Sequence, residues 1–252
     1  MASFADTSPG GRLTFLSGII DGLGGGATED LTQAEEYRRI ASVGIVFMLV
    51  QLQSLFVLPI TSVVGSGLIA KDVRSNALEV YLTKPMTRAD YVVGKLAVIA
   101  CFVFLATFAP VTAVWGIAAS LLEGFAGATW DFVPRVLLAC GLVSLVNGCV
   151  ILGLSSLARS GRYATVIWFA LCFFSFGTAQ TLVAVTGNPV FSLVSYRDGF
   201  AQLVSRLMEV DGLPEILIAR DVPFVATVLV LAGYVLLSLA IMRRTIEAVA
   251  AR

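Results

Sequence analysis

From Leu96 to Leu121 the chain runs without one charged residue. Wound as a helix, that stretch is about 39 Å long, more than the roughly 30 Å of hydrocarbon in a bilayer. It is not alone. Five stretches have the length and apolarity to cross as helices: residues 40–70, 91–121, 132–157, 163–185 and 222–242. Lipid offers the backbone no hydrogen-bond partners, so each must satisfy its own peptide groups, and helices follow. Composition agrees, with 58% hydrophobic and 13% charged residues, where a soluble domain carries about a quarter charged. The expected fold class is an all-α integral membrane protein, a bundle of five predicted transmembrane helices.

Local signals mark where helices begin. Thr32 to Glu35, "TQAE", is a capping box ahead of the first stretch, and Thr87 to Asp90, "TRAD", is a looser version ahead of the second. "DVP", Asp221 to Pro223, opens the fifth. Orientation comes from the Lys and Arg of the short loops. Lys71, Arg74, Lys84, Arg88 and Lys95 lie in one loop, Arg159 and Arg162 in another, and Arg243, Arg244 and Arg252 at the C-terminus. These segments are expected to face the cytoplasm. The loop with Glu123 and Asp131 and the 186–221 segment are then outside. So are residues 1–39, whose acids outnumber their bases; they lack the pattern of a signal peptide.

Much chemistry is excluded. The sequence has no His, no GxxxxGK[ST] phosphate loop and no acid or base within the five stretches away from their ends. The four cysteines, Cys101, Cys140, Cys149 and Cys172, lack ligand spacing and read as helix core residues. The polar residues at depth are Gln51, Gln53, Asn147 and Gln180. They read either as the lining of a translocation route or as interhelical hydrogen-bonding glue. Ser144 with Gly148, and Gly65 with Gly67, read as close-packing surfaces. Between 187 and 221, Phe200, Leu203, Val204, Leu207 and Met208 share one helical face, with Gln202, Ser205, Arg206 and Glu209 opposite. That is an amphipathic helix on or in the outer leaflet, with Phe200, Leu203 and Leu207 as a candidate external gate or as a cover for the bundle. Pro214 begins a further short apolar turn.

If this chain moves a solute, the energy must come from another chain. The 71–95 segment is where it would enter. From Ser75, "SNALEVYLTKP" forms a short helix with Leu78, Tyr81 and Leu82 on one face, stopped before Pro85; Thr87 restarts a helix that runs into the membrane. A short helix fixed across the membrane surface suits docking to a cytoplasmic partner. The plainer reading is a basic loop that only sets orientation.

At this hairpin "GSGLIAKDVRSNALEVYLTKPMTRADYVVGK" resembles the permease subunits of ABC-2 type transporters. Gly67 to Ala70, the acid Asp72, the apolar turn Leu78, Tyr81 and Leu82, and then Pro85, Thr87, Arg88, Tyr91, Gly94 and Lys95 match the family pattern. The resemblance implies a permease without its own ATPase site, an exporter driven by a separate ATP-binding subunit that holds ATP and Mg²⁺, and a second permease copy or homologue as dimer partner. It implies that the hairpin is a coupling helix, with Asp72, Arg74, Leu78, Tyr81, Lys84, Pro85, Arg88 and Lys95 at the ATPase contact. It also implies a bacterial cytoplasmic (inner) membrane location and an external segment of re-entrant helices. The family norm is six spans with a cytoplasmic N-terminus, so a further helix ahead of residue 1 or a five-span variant is expected. A non-transporting scaffold or accessory subunit is the alternative, and a membrane enzyme would need polar groups at depth.

Overall fold

The structure, a computed structural model, describes residues 33–70, 72, 75, 88–158, 160–209 and 222–250. Among them every regular element is helical. In chain order these are α1 (Gln33–Leu52), a π turn (Gln53–Val57), α2 (Leu58–Gly65), α3 (Arg88–Leu121), α4 (Phe125–Thr129), α5 (Phe132–Leu157), α6 (Gly161–Thr186), a 3₁₀ turn (Pro189–Val194), α7 (Tyr196–Leu207) and α8 (Phe224–Ala250).

Four of these, α3, α5, α6 and α8, are long and apolar enough to cross a membrane. Their ends fall within a few residues of the expected stretches, except that α8 continues to Ala250. The remaining stretch differs more. Helix starts at Gln33 rather than near 40, and the run to Gly65 is broken by the π turn. Pro59 explains the break. Proline at the second residue of α2 has no N–H to give and would collide with the carbonyl one turn back. Widening the preceding turn relieves both.

The spans are not equivalent. In its most apolar window α5 is 72% buried, against 17% for α3, 22% for α6 and 17% for α8. So α5 is the central post, and the other three present most of their surface outward, with Phe102 on α3, Phe173 and Phe174 on α6, and Leu229 and Leu236 on α8 exposed. In a bilayer those faces meet lipid tails. Close approach to α5 depends on absent side chains. A Cβ on Gly153 would sit 2.9 Å from Cβ and 3.0 Å from Cα of Ser238 on α8, and one on Gly148 would sit 2.7 Å from Cδ1 of Leu96 on α3. Gly65 lies likewise against Ile151. Gly148 and Gly65, two of the small residues read from the sequence as packing surfaces, pack in this way; Gly153 was not among those read.

Residues 1–32, the turn at Pro214 and the cap residues Thr32, Thr87 and Asp221 lie outside the described residues. Pro223 precedes α8 and supplies a carbonyl that accepts from the N–H groups of Ala226 and Thr227 at 2.9 and 3.3 Å.

Candidate functional site

Beyond α6 the chain turns back on itself. Gly187 closes the helix in the left-handed conformation, at φ 65°, and Asn188 caps the 3₁₀ turn by accepting from the N–H of Val190. By Tyr196 the chain has come back along α6, because its N–H donates to Oγ of Ser175 at 3.3 Å. Ser175 is eleven residues before the end of α6, so Tyr196 lies about 16 Å below it. From there α7 rises again, and at its end Arg135 reaches the Leu207 carbonyl at 3.5 Å and Glu209 at 3.0 Å.

The expected amphipathic helix is therefore present as α7, but its polar face does not point to water. Gln202 and Ser205 are buried. Gln202 Nε2 donates to Ser192 Oγ at 2.9 Å and its Oε1 accepts from Thr227 Oγ1 at 2.9 Å, while Ser205 donates to the Gln202 carbonyl. The amide is satisfied on both sides, which lets α7 be enclosed by α8 and the 3₁₀ turn. Among the candidate gate residues, Phe200 and Leu203 are buried and Leu207 is half-buried. Of the four residues assigned to the outward face, only Arg206 and Glu209 are exposed.

This fold-back carries polar chemistry to the middle of the bundle. Tyr196 is 1% exposed, with its ring edge-on to Trp168, Phe200 and Tyr234. Its hydroxyl donates to Oδ1 of Asn147 at 3.3 Å, and the Asn147 amide donates to the Val143 carbonyl at 2.7 Å. Gln180 donates to Asp198 at 3.0 Å. Asn147 and Gln180 thus join α5 and α6 to the returning segment. Gln53 differs. It is buried at the π turn, and its Nε2 has no partner among the described residues. It lines a small cavity together with Thr107, Arg197 and Phe200, where Nε of Arg197 is also without a partner. Gln51, half-buried, does not line it.

Arg197 and Asp198 escaped the sequence reading because it searched for charges inside the spanning stretches. Both lie outside every such stretch in sequence and enter by the fold-back. The only signal was the pair "RD" at the start of an amphipathic helix, which any surface helix can carry.

At the other end of α5 a second cluster closes the base of the 71–95 segment. Ser155 Oγ donates to the Ser66 carbonyl at 2.7 Å and accepts from the N–H groups of Ile69 and Ala70 at 3.2 and 3.1 Å. One hydroxyl satisfies the backbone where α2 has ended and the chain is still buried. Two residues on, Asp72 accepts from the Tyr91 hydroxyl at 2.8 Å and pairs with Lys95 Nζ at 2.8 Å. Lys95 also lies over the Tyr91 ring. So Asp72, Tyr91 and Lys95 come together, joining the chain leaving α2 to the first turns of α3. Arg74, Leu78, Tyr81, Lys84 and Pro85 lie outside the described residues, as does the side chain of Arg88, whose backbone begins α3.

The opposite ends of the helices carry a network of their own. Arg38 holds Asp131 through both guanidinium nitrogens, at 3.0 and 2.7 Å, and donates to the Ala128 carbonyl at 2.9 Å. Arg135 stands between Asp131 and Glu209. The cluster of Arg38, Asp131, Arg135 and Glu209 is partly solvated, so its attraction is screened and its value lies in geometry. It fixes where α7 ends relative to α1 and α5.

The comparison with curated proteins finds no match. The family described as ABC-2 family transporter protein matches residues 22–245, which takes in every spanning helix, the fold-back and the latched segment. The chain belongs to the ABC-2 family of transporter proteins, as a multi-pass membrane permease of an ABC transporter.

Proposed function

We propose that this permease is the membrane half of an ATP-driven exporter, powered by a separate ATP-binding subunit seated on the 71–95 segment. ATP and Mg²⁺ are bound by that subunit. A second copy of the permease, or a related one, completes the transport unit in a bacterial cytoplasmic membrane. Arg74, Leu78, Tyr81, Lys84, Pro85 and Arg88 form the contact, and the segment works as a coupling helix.

The observation that carries this reading is the closure at Asp72. Tyr91 and Lys95 both hold its carboxylate at 2.8 Å, at 16% side-chain exposure for Asp72 and 23% for Lys95. An ion pair this shielded is stiffer than a surface pair. A push on the segment is therefore delivered to the end of α2 and the start of α3 together. Asp72 and Lys95, expected among the ATPase contacts, are assigned instead to holding the base of the hairpin.

The test uses the permease reconstituted with its ATP-binding subunit. Asp72→Asn and Lys95→Met are expected to lower transport per ATP hydrolysed several-fold, with the amount of chain in the membrane unchanged. The exchanged pair, Asp72→Lys with Lys95→Asp, recovers part of the loss, with a coupling of about 0.5–3 kcal/mol. Unaltered transport in both single variants overturns the latch. Failure of any ATP-binding protein to co-purify overturns the coupled exporter itself and favours a scaffold.

A further inference from the structure

Among the described residues, α3 and α8 both pack along α5 and make little contact with each other. Between them, where α3 begins and α8 nears its end, lies a groove of about 480 Å³, large enough for a sizeable ligand. Val92 and Val93 of α3 form one wall and Leu239 and Met242 of α8 the other, with Arg243 and Glu247 at the rim. Met242 is 1% exposed, at the bottom of the groove, whereas Val93 and Leu239 are open at 61% and 40%.

Position narrows what meets it. The part of α3 apolar enough to span begins at Ala89, and that of α8 ends at Thr245, so both walls reach the same boundary of the hydrocarbon. The rim carries positive charge. Arg243 is 82% exposed, and only its Nε is spent on Glu247, at 2.8 Å. Arg244, also exposed, enters none of the ion pairs found among the described residues. The nearby acids are Glu247 and Asp90, in the first turn of α3. With Arg88, three arginines stand against these two acids, one positive charge in excess.

We propose that this groove binds one anionic phospholipid, with an acyl chain between Val93 and Leu239 and the phosphodiester on Arg243 and Arg244. Arginine presents planar pairs of donors that match phosphate oxygens, and arginines beside a spanning helix attract anionic headgroups. The single charge of a phosphodiester balances the excess at the rim. The open side at Val93 and Leu239 admits a chain from the surrounding lipid, and its walls shield that chain as hydrocarbon does. Such a lipid stands beside the first turns of α3, next to Tyr91. The inference does not rest on the exporter reading, because binding is measured on the permease alone.

The probes are phosphatidylglycerol, phosphatidylethanolamine and diacylglycerol with the same acyl chains. Each is titrated onto the delipidated full chain in a nonionic detergent, and adducts are counted by native mass spectrometry. One phosphatidylglycerol is expected to bind about tenfold more tightly than further copies and than either other lipid. Arg243→Gln combined with Arg244→Gln removes that preference, whereas lysine at both positions keeps most of it by retaining the charge. Val93→Trp fills the groove with both arginines intact and weakens the tight adduct. Leu229→Trp, ten residues before Leu239 on the exposed surface of α8, leaves it unchanged. Gel filtration and melting temperature of each variant separate a lost site from a lost fold. Equal binding of phosphatidylethanolamine or diacylglycerol removes the role of the charge and overturns the proposal. Displacement by inorganic phosphate assigns the rim to a free anion and overturns the lipid. An unaltered tight adduct in Val93→Trp puts the chain elsewhere and overturns the groove. An adduct held by monomers and absent from dimers gives the groove to a second copy of the chain, and overturns it too.

Discussion

A single hydroxyl carries more of the Asp72 end of the bundle than any charge there. Ser155 meets three backbone groups at once, and two of its partners, Ile69 and Ala70, are 0% and 2% exposed. Replacing it with alanine leaves two buried N–H groups without an acceptor, each a loss of about 1–3 kcal/mol. Ser155→Ala is expected to lower the melting temperature of the purified permease and, because Asp72 follows two residues later, to reduce transport per ATP as well. Ser156→Ala is the control, since among the described residues its hydroxyl bonds only to its own helix, at the Gly153 carbonyl; a melting temperature equal in the two variants overturns the assignment. Ser155 could not have been singled out in "GLSSL", because the two serines differ only in which face of α5 meets α2. Asn147 and Gln180 were legible as polar residues at depth, with interhelical glue one of two readings; here each bonds to the returning segment, at Tyr196 and Asp198. Gln53 was legible only as a polar residue at depth. That its donor is left over depends on the π turn, and hence on Pro59 six residues on.

At the scale of elements, length and apolarity alone placed α3, α5 and α6 within three residues of their ends, because lipid forces such stretches into helix. The post-like role of α5 was not legible, since its sequence is no more apolar than that of α8. What distinguishes α5 is small residues on more than one face. Gly153 is the sharpest case, with the backbone of Ser238 where a side chain would go. Gly153→Ala is expected to cost about 1–3 kcal/mol, because α5 and α8 must separate. The same change at Gly141 or Gly177, where nothing lies within 4 Å of the added carbon, is neutral or stabilising by up to about 1 kcal/mol. Unfolding of the three variants in mixed micelles measures both signs, and equal stabilities would discard the crossing. The fate of α7 was also beyond the sequence. Its apolar periodicity told which face is buried, whereas the polar face is covered because Thr227 of α8 and Ser192 of the 3₁₀ turn complete the hydrogen bonds of Gln202.

For the molecule as a whole, the α1–α2 run decides how many times the described residues cross. The α1–α2 run is thirty-three residues from Gln33 to Gly65, about 50 Å of helix, and is more than long enough despite the π turn. Its first turns carry Glu35, Arg38 and Arg39, and Arg38 is tied to Asp131 at the loop between α3 and α5. Its far end is held by Ser155, at the opposite end of α5. The two ends of the run are therefore at opposite ends of the bundle, which is the geometry of a fifth crossing. By the excess of Lys and Arg in its loops, the Asp72 end is expected in the cytoplasm. Three variants decide it, each with one added cysteine, at exposed positions Ala34, Ser75 and Glu123 in turn. A membrane-impermeant maleimide applied to intact cells is expected to label Ala34→Cys and Glu123→Cys, and to reach Ser75→Cys only after permeabilisation. The natural thiols give little background, because Cys140, Cys149 and Cys172 are buried and Cys101 lies on the spanning helix α3, where a membrane-impermeant reagent does not reach it from the water on either side. Labelling of Ala34→Cys together with Ser75→Cys would mean that the run turns back and that the described residues cross four times. Labelling of Ser75→Cys on intact cells, with Ala34→Cys and Glu123→Cys both protected, would invert the whole assignment, and with it the side on which an ATP-binding subunit can reach the Asp72–Lys95 latch.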